Sequence, residues 1–218
     1  MFDRINILKR KGYCPDTILD IGAHHGNWTN SMRHIYKDSK YYLFEGINYP
    51  ELNRFKNDTD VSVYNVLLND KIDTVDWYEM RNTGDSIFRE KTHHFTNCTP
   101  SKRDTIDLNT HILNNNILQE SKNIFIKIDC QGAEIPILKG ATSILERTDF
   151  ILLEIPLFGQ YNENVPSFLD HISYMNTLGF ITYDIIDNHY INEFNMQVDV
   201  LFINKNHRFN NTVNELLL

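Results

Sequence analysis

Cysteine is scarce in this chain, and the few present do not pair: Cys14, Cys98 and Cys130 are three in number and lie 84 and 32 residues apart. An odd count at such spacings makes neither a disulfide framework nor a CxxC metal knuckle, and it fits a reducing compartment. Long apolar runs are missing as well. No stretch approaches the roughly 20 apolar residues that a membrane crossing needs, and no basic segment followed by an apolar run opens the chain. The expectation is a soluble, cytoplasmic protein with no membrane insertion. Positive charge is in deficit, with 21 Lys and Arg against 29 Asp and Glu and a formal net charge of -8. Such a surface repels a phosphate backbone, so no nucleic-acid partner is expected; Arg4, Lys9, Arg10 and Lys11 read as a solvated helix face. HExxH, EF-hand and G-K-[ST] patterns are also absent.

What is present is enough apolar material for one core: 41% of the 218 residues are hydrophobic, and a domain of this size removes about 70% of its unfolded surface from water. Phe2, Ile5 and Leu8 predict a short helix ended by Gly12, within a lead-in of residues 1–16. Nearly all-apolar runs predict parallel strands at Thr17–Ile21, Lys40–Glu45, Val61–Leu67, Ile124–Asp129 and Phe150–Ile155. Helical spacing lies between them. Trp28, Met32, Ile35 and Tyr36 share one face; Asn48–Phe55, Asp107–Leu118, Ala133–Leu145 and Pro166–Gly179 supply further helices. The polar stretch Leu68–Arg103 offers one extra strand near Val75–Tyr78. Phe180–Ile186 and Gln197–Asn204 predict two late strands, and residues 205–218 an exposed tail whose terminal leucines form a short docking helix. The fold class expected for residues 17–204 is α/β: a doubly wound, mostly parallel seven-stranded sheet with a terminal antiparallel hairpin. In that architecture a ligand lies beyond the carboxyl ends of the strands, where strand order reverses.

The residues at those ends carry the chemistry. Asp20-Ile-Gly22-Ala23-His24-His25-Gly26 joins the first strand to the first helix. Gly22 permits a sharp turn and close approach of a flat ligand, and Gly26 lets the helix start near the sheet. Asp20 can accept hydrogen bonds from a cationic amine or order the loop. Glu45 ends the second strand 25 residues later, where a carboxylate can accept both hydroxyl hydrogens of an adenosine ribose. A dinucleotide fingerprint needs G-x-G-x-x-G around a pyrophosphate, but the third position here is His24. A nucleoside without phosphates is the better match.

The chain resembles the FkbM-type family of S-adenosylmethionine-dependent methyltransferases, which are associated with O-methylation of sugars and natural products. The matching residues are Asp20-Ile-Gly-Ala-His-His-Gly26, Phe44-Glu45, Asn65-Val66, Asn69-Asp70, Thr105-Ile-Asp107-Leu108, Ile126-Lys-Ile-Asp-Cys-Gln-Gly-Ala-Glu134, Leu138-Lys-Gly-Ala141 and Ile151-Leu-Leu-Glu154-Ile155. The resemblance implies a Rossmann-like class I methyltransferase fold. It places Asp20, Gly22, Ala23, Gly26 and Glu45 around the cofactor and Asn69 and Asp70 near its adenine. Where the family has a small hydroxyl residue before that aspartate, this chain has Asn69.

For catalysis the candidates are Asp129, Glu154 and His25. Asp129 ends the fourth strand beside the glycine loop, where a carboxylate can align an acceptor hydroxyl and receive its proton. Glu134 and His94 are candidates for the acceptor, Glu134 also being explained by the helix dipole alone. Asp129 and Glu154 can hold a divalent cation, magnesium by preference, that lowers the hydroxyl's pKa. Trp77, Tyr78, Phe158 and Tyr161 can stack on an acceptor ring. The expected partner is a small-molecule or glycan acceptor. Two other readings stay open at this stage: a nicotinamide-dependent oxidoreductase on the same sheet, and a catalytically silent interaction module.

Overall fold

Every residue of Thr17–Ile21 and of Ile124–Ile128 is buried, as expected of strands covered on both faces. They lie side by side at the centre of a three-layer α/β/α structure. The structure, a computed structural model, describes residues 1–160 and 162–211; Tyr161 and the terminal leucines lie outside the described residues. The chain order is α1 (Phe2–Arg10), β1 (Thr17–Ile21), α2 (Asn27–Ile35), β2 (Lys40–Glu45), a 3₁₀ helix at Pro50–Phe55, β3 (Val61–Asn65), β4 (Leu68–Asn69) and β5 (Asp73–Trp77). A 3₁₀ turn at His93–Phe95, β6 (Ser101–Asp107), α3 (Leu108–Asn115), β7 (Ile124–Ile128), α4 (Glu134–Lys139), α5 (Thr142–Leu145), β8 (Thr148–Pro156), α6 (Phe168–Thr177), β9 (Phe180–Ile191) and β10 (Phe194–Asn204) complete it.

Among the described residues, the main sheet has seven strands in the order β3-β2-β1-β7-β8-β10-β9. The first five run parallel, and β10 runs antiparallel to both β8 and β9. Strand order reverses between β1 and β7. Register then decides which side chains meet: Asp20 lies opposite Lys127, Asp199 opposite Glu154 and Gln197 opposite His189.

Alternation along the strands divides the core in two. Ile124, Ile126 and Ile128 face α3, α4 and α6 together with Leu19, Ile151 and Leu153. Phe125 faces the other way with Ile18, Phe150 and Leu152, toward Ile5 and Leu8 of α1 and Met32 of α2. No helix among the described residues is long and apolar enough to cross a membrane.

The structure differs from the sequence expectation in several places. The segment expected as a helix over Asn48–Phe55 is a 3₁₀ helix with Pro50 at its start. The third strand stops at Asn65. The polar stretch holds a second sheet, β4-β6-β5, whose strand β6 went unread because six of its seven residues are polar and only Thr105 is buried. The helix expected over Ala133–Leu145 breaks at Gly140-Ala141. There the Gly140 carbonyl accepts from the Asn109 amide at 2.8 Å, tying the break to the start of α3. The tail is not simply exposed: His207 and Phe209 pack edge-on to Phe150, and His207 also against Tyr13.

A Cβ at Gly140 would lie 2.5 Å from the Asn69 carbonyl oxygen and 2.8 Å from the Asp107 Cβ, neither able to swing aside. Gly140→Ala is expected to destabilise the fold by about 1–3 kcal/mol, as overpacking does, read as a lowered urea midpoint at unchanged m-value.

Candidate active site

The carboxyl ends of β1, β2, β7 and β8 open into a cleft of about 530 Å³ that holds Gly22, Glu45, Asp129 and Glu154 in its walls. At one end the glycine loop leaves β1. Gly22 sits at φ +75°, and any Cβ there would collide with the Asp129 carbonyl; only glycine lets the loop cross so close to the end of β7. The Gly22 and Ala23 amides both donate to the Phe44 carbonyl, at 3.0 and 3.2 Å. Glu45 accepts from the His24 amide at 2.7 Å and the Ile47 amide at 2.9 Å. Burial holds its carboxyl above the ordinary value, against the pull of these two amides and Lys127. Phe44, Ile47, Val66, Leu67 and Leu68 make the adjoining wall apolar.

This half suits an adenosine without phosphates. Glu45 offers a carboxylate beside an apolar wall able to take a purine, and a carboxylate retains acceptor capacity after two bonds. Among the described lining residues the only Lys or Arg is Lys127. That ammonium is already engaged, so nothing cationic is free to meet a pyrophosphate.

Lys127 commands the other half. Only 8% of its side chain is exposed, with Asp20 at 3.1 Å and Asp129 at 3.4 Å, and it donates to the Gly22 carbonyl at 2.8 Å. Burial works against the ammonium, but Asp20 and Asp129 outweigh it and hold the proton on well above the ordinary lysine value. Asp20 is wholly buried and also accepts from Thr29 at 2.6 Å. Asp129 is 37% exposed. Burial raises its pKa, but Lys127, Glu154 and Gln131 more than reverse that and leave it below the usual carboxylate range. Glu154 goes the other way: burial first, then Asp129 and Asp199, push it well above that range. Of the two carboxyls, Glu154 is thus the one pushed toward its neutral form and Asp129 the one held toward its ionised form. The Gln131 amide bridges them, bonded to both Asp129 and Glu154.

Of the residues singled out from sequence, Gly22, Ala23, His25, Glu45, Asp129 and Glu154 line the cleft, whereas Asp20, Gly26, Asn69, Asp70, Glu134 and His94 do not. Asp20 orders the loop through Lys127 and Thr29. Gly26 lies against the Phe55 ring. Asn69 is buried in β4 and Asp70 is exposed, the cleft being met by Val66, Leu67 and Leu68 instead. Glu134 is wholly buried. It accepts from the Cys130 and Gly132 amides at 3.0 and 3.2 Å and lies 3.6 Å from His171, bracing the turn after β7. His94 is exposed in the insertion, its ring tilted against that of His93 with centroids 3.9 Å apart. His25 stacks on His24 at 3.8 Å and lies 3.9 Å from Glu51. Asp129 and Glu154 do lie close together, their side chains in hydrogen-bond contact. The donors with metal-like spacing are Glu154, His189 and Asp199, all within 4.8 Å of one another, and there His189 is already hydrogen-bonded to Asp199.

Sequence reasoning missed Lys127, Gln131, His189, Gln197 and Asp199. Lys127 did carry a signal, since a lysine inside Ile-Phe-Ile-Lys-Ile has to find a buried counter-charge. The others have none, because β9 and β10 reach the site only through pairing.

Residues 20–182 match the Methyltransferase FkbM domain. The chain belongs to the FkbM methyltransferase family. Membership and fold together make it an S-adenosylmethionine-dependent methyltransferase domain. No curated protein matches the chain. Among solved structures, the FkbM methyltransferase of Methylobacillus flagellatus superposes with a TM-score of 0.53 at 14% identity, over 87% of this chain and 43% of that one. This chain thus spans less than half the length of that one. The 1,6-didemethyltoxoflavin-N1-methyltransferase of Burkholderia thailandensis, solved with 1,6-didemethyltoxoflavin and S-adenosylhomocysteine, gives 0.52 at 8% identity, over 92% of this chain and 76% of that one. The fibrillarin of Methanococcus jannaschii gives 0.50 at 13% identity, over 88% and 68%. At such identities these likenesses show the fold alone.

Lys127→Met in this FkbM-family domain leaves Asp20 and Asp129 without their cation. A loss of about 3–5 kcal/mol is expected, the usual consequence of removing one partner from a buried ion pair, checked by urea unfolding at neutral pH.

Proposed function

We propose that this domain methylates a hydroxyl of a small polar acceptor, a sugar or glycan by class. The observation that carries the reading is the continuity of the cleft: a wall suited to a phosphate-free nucleoside runs directly into Asp129, Gln131, Glu154, His189 and Gln197. Carboxylates and amides of that kind suit the vicinal hydroxyls of a sugar. The family resemblance adds the preference for oxygen over nitrogen.

In this reading Glu45 accepts hydrogen bonds from the ribose hydroxyls, while Leu67, Leu68 and Val66 cover the purine. Gly22 and Ala23 present backbone at close range. When bound, S-adenosylmethionine supplies an electrophilic methyl on a sulfonium. Asp129 stays ionised beside Lys127 and accepts a hydrogen bond from the acceptor hydroxyl, aligning its oxygen with that methyl. Glu154, pushed toward its neutral form, is the carboxyl suited to donate to a neighbouring acceptor oxygen. His25 closes the wall near the loop. Asp85 and Asn82 of the insertion line the mouth, where an acceptor enters.

The test joins labelled S-adenosylmethionine with a panel of mono- and oligosaccharides and their amino analogues, and locates the added methyl by mass spectrometry and NMR. Calorimetry with S-adenosylhomocysteine and with NAD reads the cofactor half separately. S-adenosylhomocysteine is expected to bind and NAD not. Glu45→Ala is expected to weaken that binding by roughly 10- to 100-fold, the worth of hydrogen bonds to a charged group. Asp129→Asn is expected to keep cofactor affinity and lose about 10²-fold in turnover, the effect of misalignment. A methyl found on nitrogen would replace hydroxyl by amine, and wild-type turnover in Asp129→Asn would remove that residue from the mechanism.

A further inference from the structure

Transfer to a hydroxyl releases a proton, and the groups first expected to take it are poorly suited. Asp129 is held below the usual carboxylate range beside Lys127, which makes it a weak base. Glu154 is pushed toward its neutral form by burial and by Asp129 and Asp199, and its side chain is already bonded to Gln131. His25 is stacked on His24 and lies 3.9 Å from Glu51 at the glycine-loop end of the wall, and Glu45 belongs to the nucleoside end.

Resting on the reading of O-methyl transfer above, we propose that His189 is the acceptor's general base and that Asp199 is the residue that positions it. His189 lines the cleft and is 41% exposed, while Asp199 is buried. His189 Nε2 lies 2.8 Å from the Asp199 carboxylate and 3.6 Å from Glu154. Among the described residues no hydrogen bond is made by Nδ1. The neutral ring therefore donates Nε2–H to Asp199 and keeps its lone pair on Nδ1, the division of labour of an aspartate–histidine pair in acyl transfer.

The hairpin geometry produces this contact. In the ladder His189 opposes Gln197, and Asp199 opposes Asp187, so the hydrogen bond runs diagonally between positions two residues apart. Register shifts at Asn195/Gln197 and Asp199/Val200 flank these residues, and such bulges bend a strand and re-aim its side chains.

The step balances. The acceptor O–H bond breaks and its proton passes to Nδ1; the oxygen forms its bond to the methyl carbon as the carbon–sulfur bond opens. One positive charge is lost at sulfur and one gained on the imidazole, where Asp199 stabilises it. The half-exposed ring then returns its proton to water.

The acidic groups facing the ring come from several elements: Asp199 on β10, Asp187 on β9, Glu154 on β8 and Asp129 after β7. Asp199 foremost raises the His189 pKa above its ordinary value, against burial. A base acts only when neutral, so with Asp199 2.8 Å from the ring to hold a proton there, turnover is expected to fall as the pH drops and the ring protonates.

Two measurements test the assignment. In the wild-type protein, histidine ¹⁵N NMR should show His189 with Nε2 protonated and Nδ1 bare, titrating above an ordinary histidine and lower in Asp199→Asn. In the saccharide assay, His189→Asn should bind S-adenosylhomocysteine as the wild type does, lose about 10²- to 10⁴-fold in kcat and lose the acid limb of its pH profile. Asp199→Asn should keep that limb, displaced to lower pH, with reduced kcat. An Nδ1–H tautomer would overturn the proposal, and so would wild-type turnover in His189→Asn. It would equally fall if a chelator stopped turnover, magnesium restored it, and His189→Asn abolished Mn²⁺ binding by electron paramagnetic resonance, because His189 would then be a cation ligand. Should no hydroxyl in the panel be methylated, the O-transfer reading fails by itself, and the tautomer still decides whether His189 is built as a base.

Discussion

Lys127 lies inside a strand buried on both faces, where an unpaired ammonium is not tolerated, so its carboxylate partners must stand within reach for the fold to form. Asp20 is placed there by the β1–β7 register and Asp129 by its position two residues further on. That constraint ties the two central strands together at the point where strand order reverses. It also anchors the glycine loop, since the same ammonium holds the Gly22 carbonyl. The loop's shape, the ionised state of Asp129 and the lack of a free cation in the cleft follow from this one buried charge.

From there the charges divide the cleft. Toward β2 the surroundings are apolar with one carboxylate, Glu45, saturated in part by backbone amides. Toward β8, β9 and β10 the acids crowd, and the crowding pushes Glu154 toward its neutral form while Lys127 holds Asp129 toward its ionised form. His189 relieves the outermost acid in the same way through its bond to Asp199. Neighbouring groups of opposite protonation state are what acid–base chemistry requires.

Much of this was readable from residues alone. The strands of the parallel half, the glycine loop, Glu45 and Asp129 all announce themselves by short apolar runs ending in special residues. The failures have physical causes. Asp20, Asn69 and Glu134 look like ligand contacts because they flank the right segments, yet Asp20 and Glu134 are turned inward to satisfy backbone or buried partners and Asn69 is buried in β4. Strand β6 has no alternation because it is mostly solvent-facing. The split between α4 and α5 depends on how closely Gly140 approaches Asn69 and Asp107, which no local pattern encodes.

By itself the sequence determined the order of strands and helices, the edge at which a ligand lies, and the absence of a phosphate-binding loop, because these depend on local periodicity and on residues adjacent in the chain. Only tertiary structure decided which carboxylates face the cleft, which of them is pushed toward its neutral form, and that His189 and Asp199 belong to the site. Those outcomes depend on strand register and burial: pairing across β7, β8, β10 and β9 brings together groups up to 70 positions apart in the chain, and their protonation is set by neighbours that do not exist until the sheet has formed.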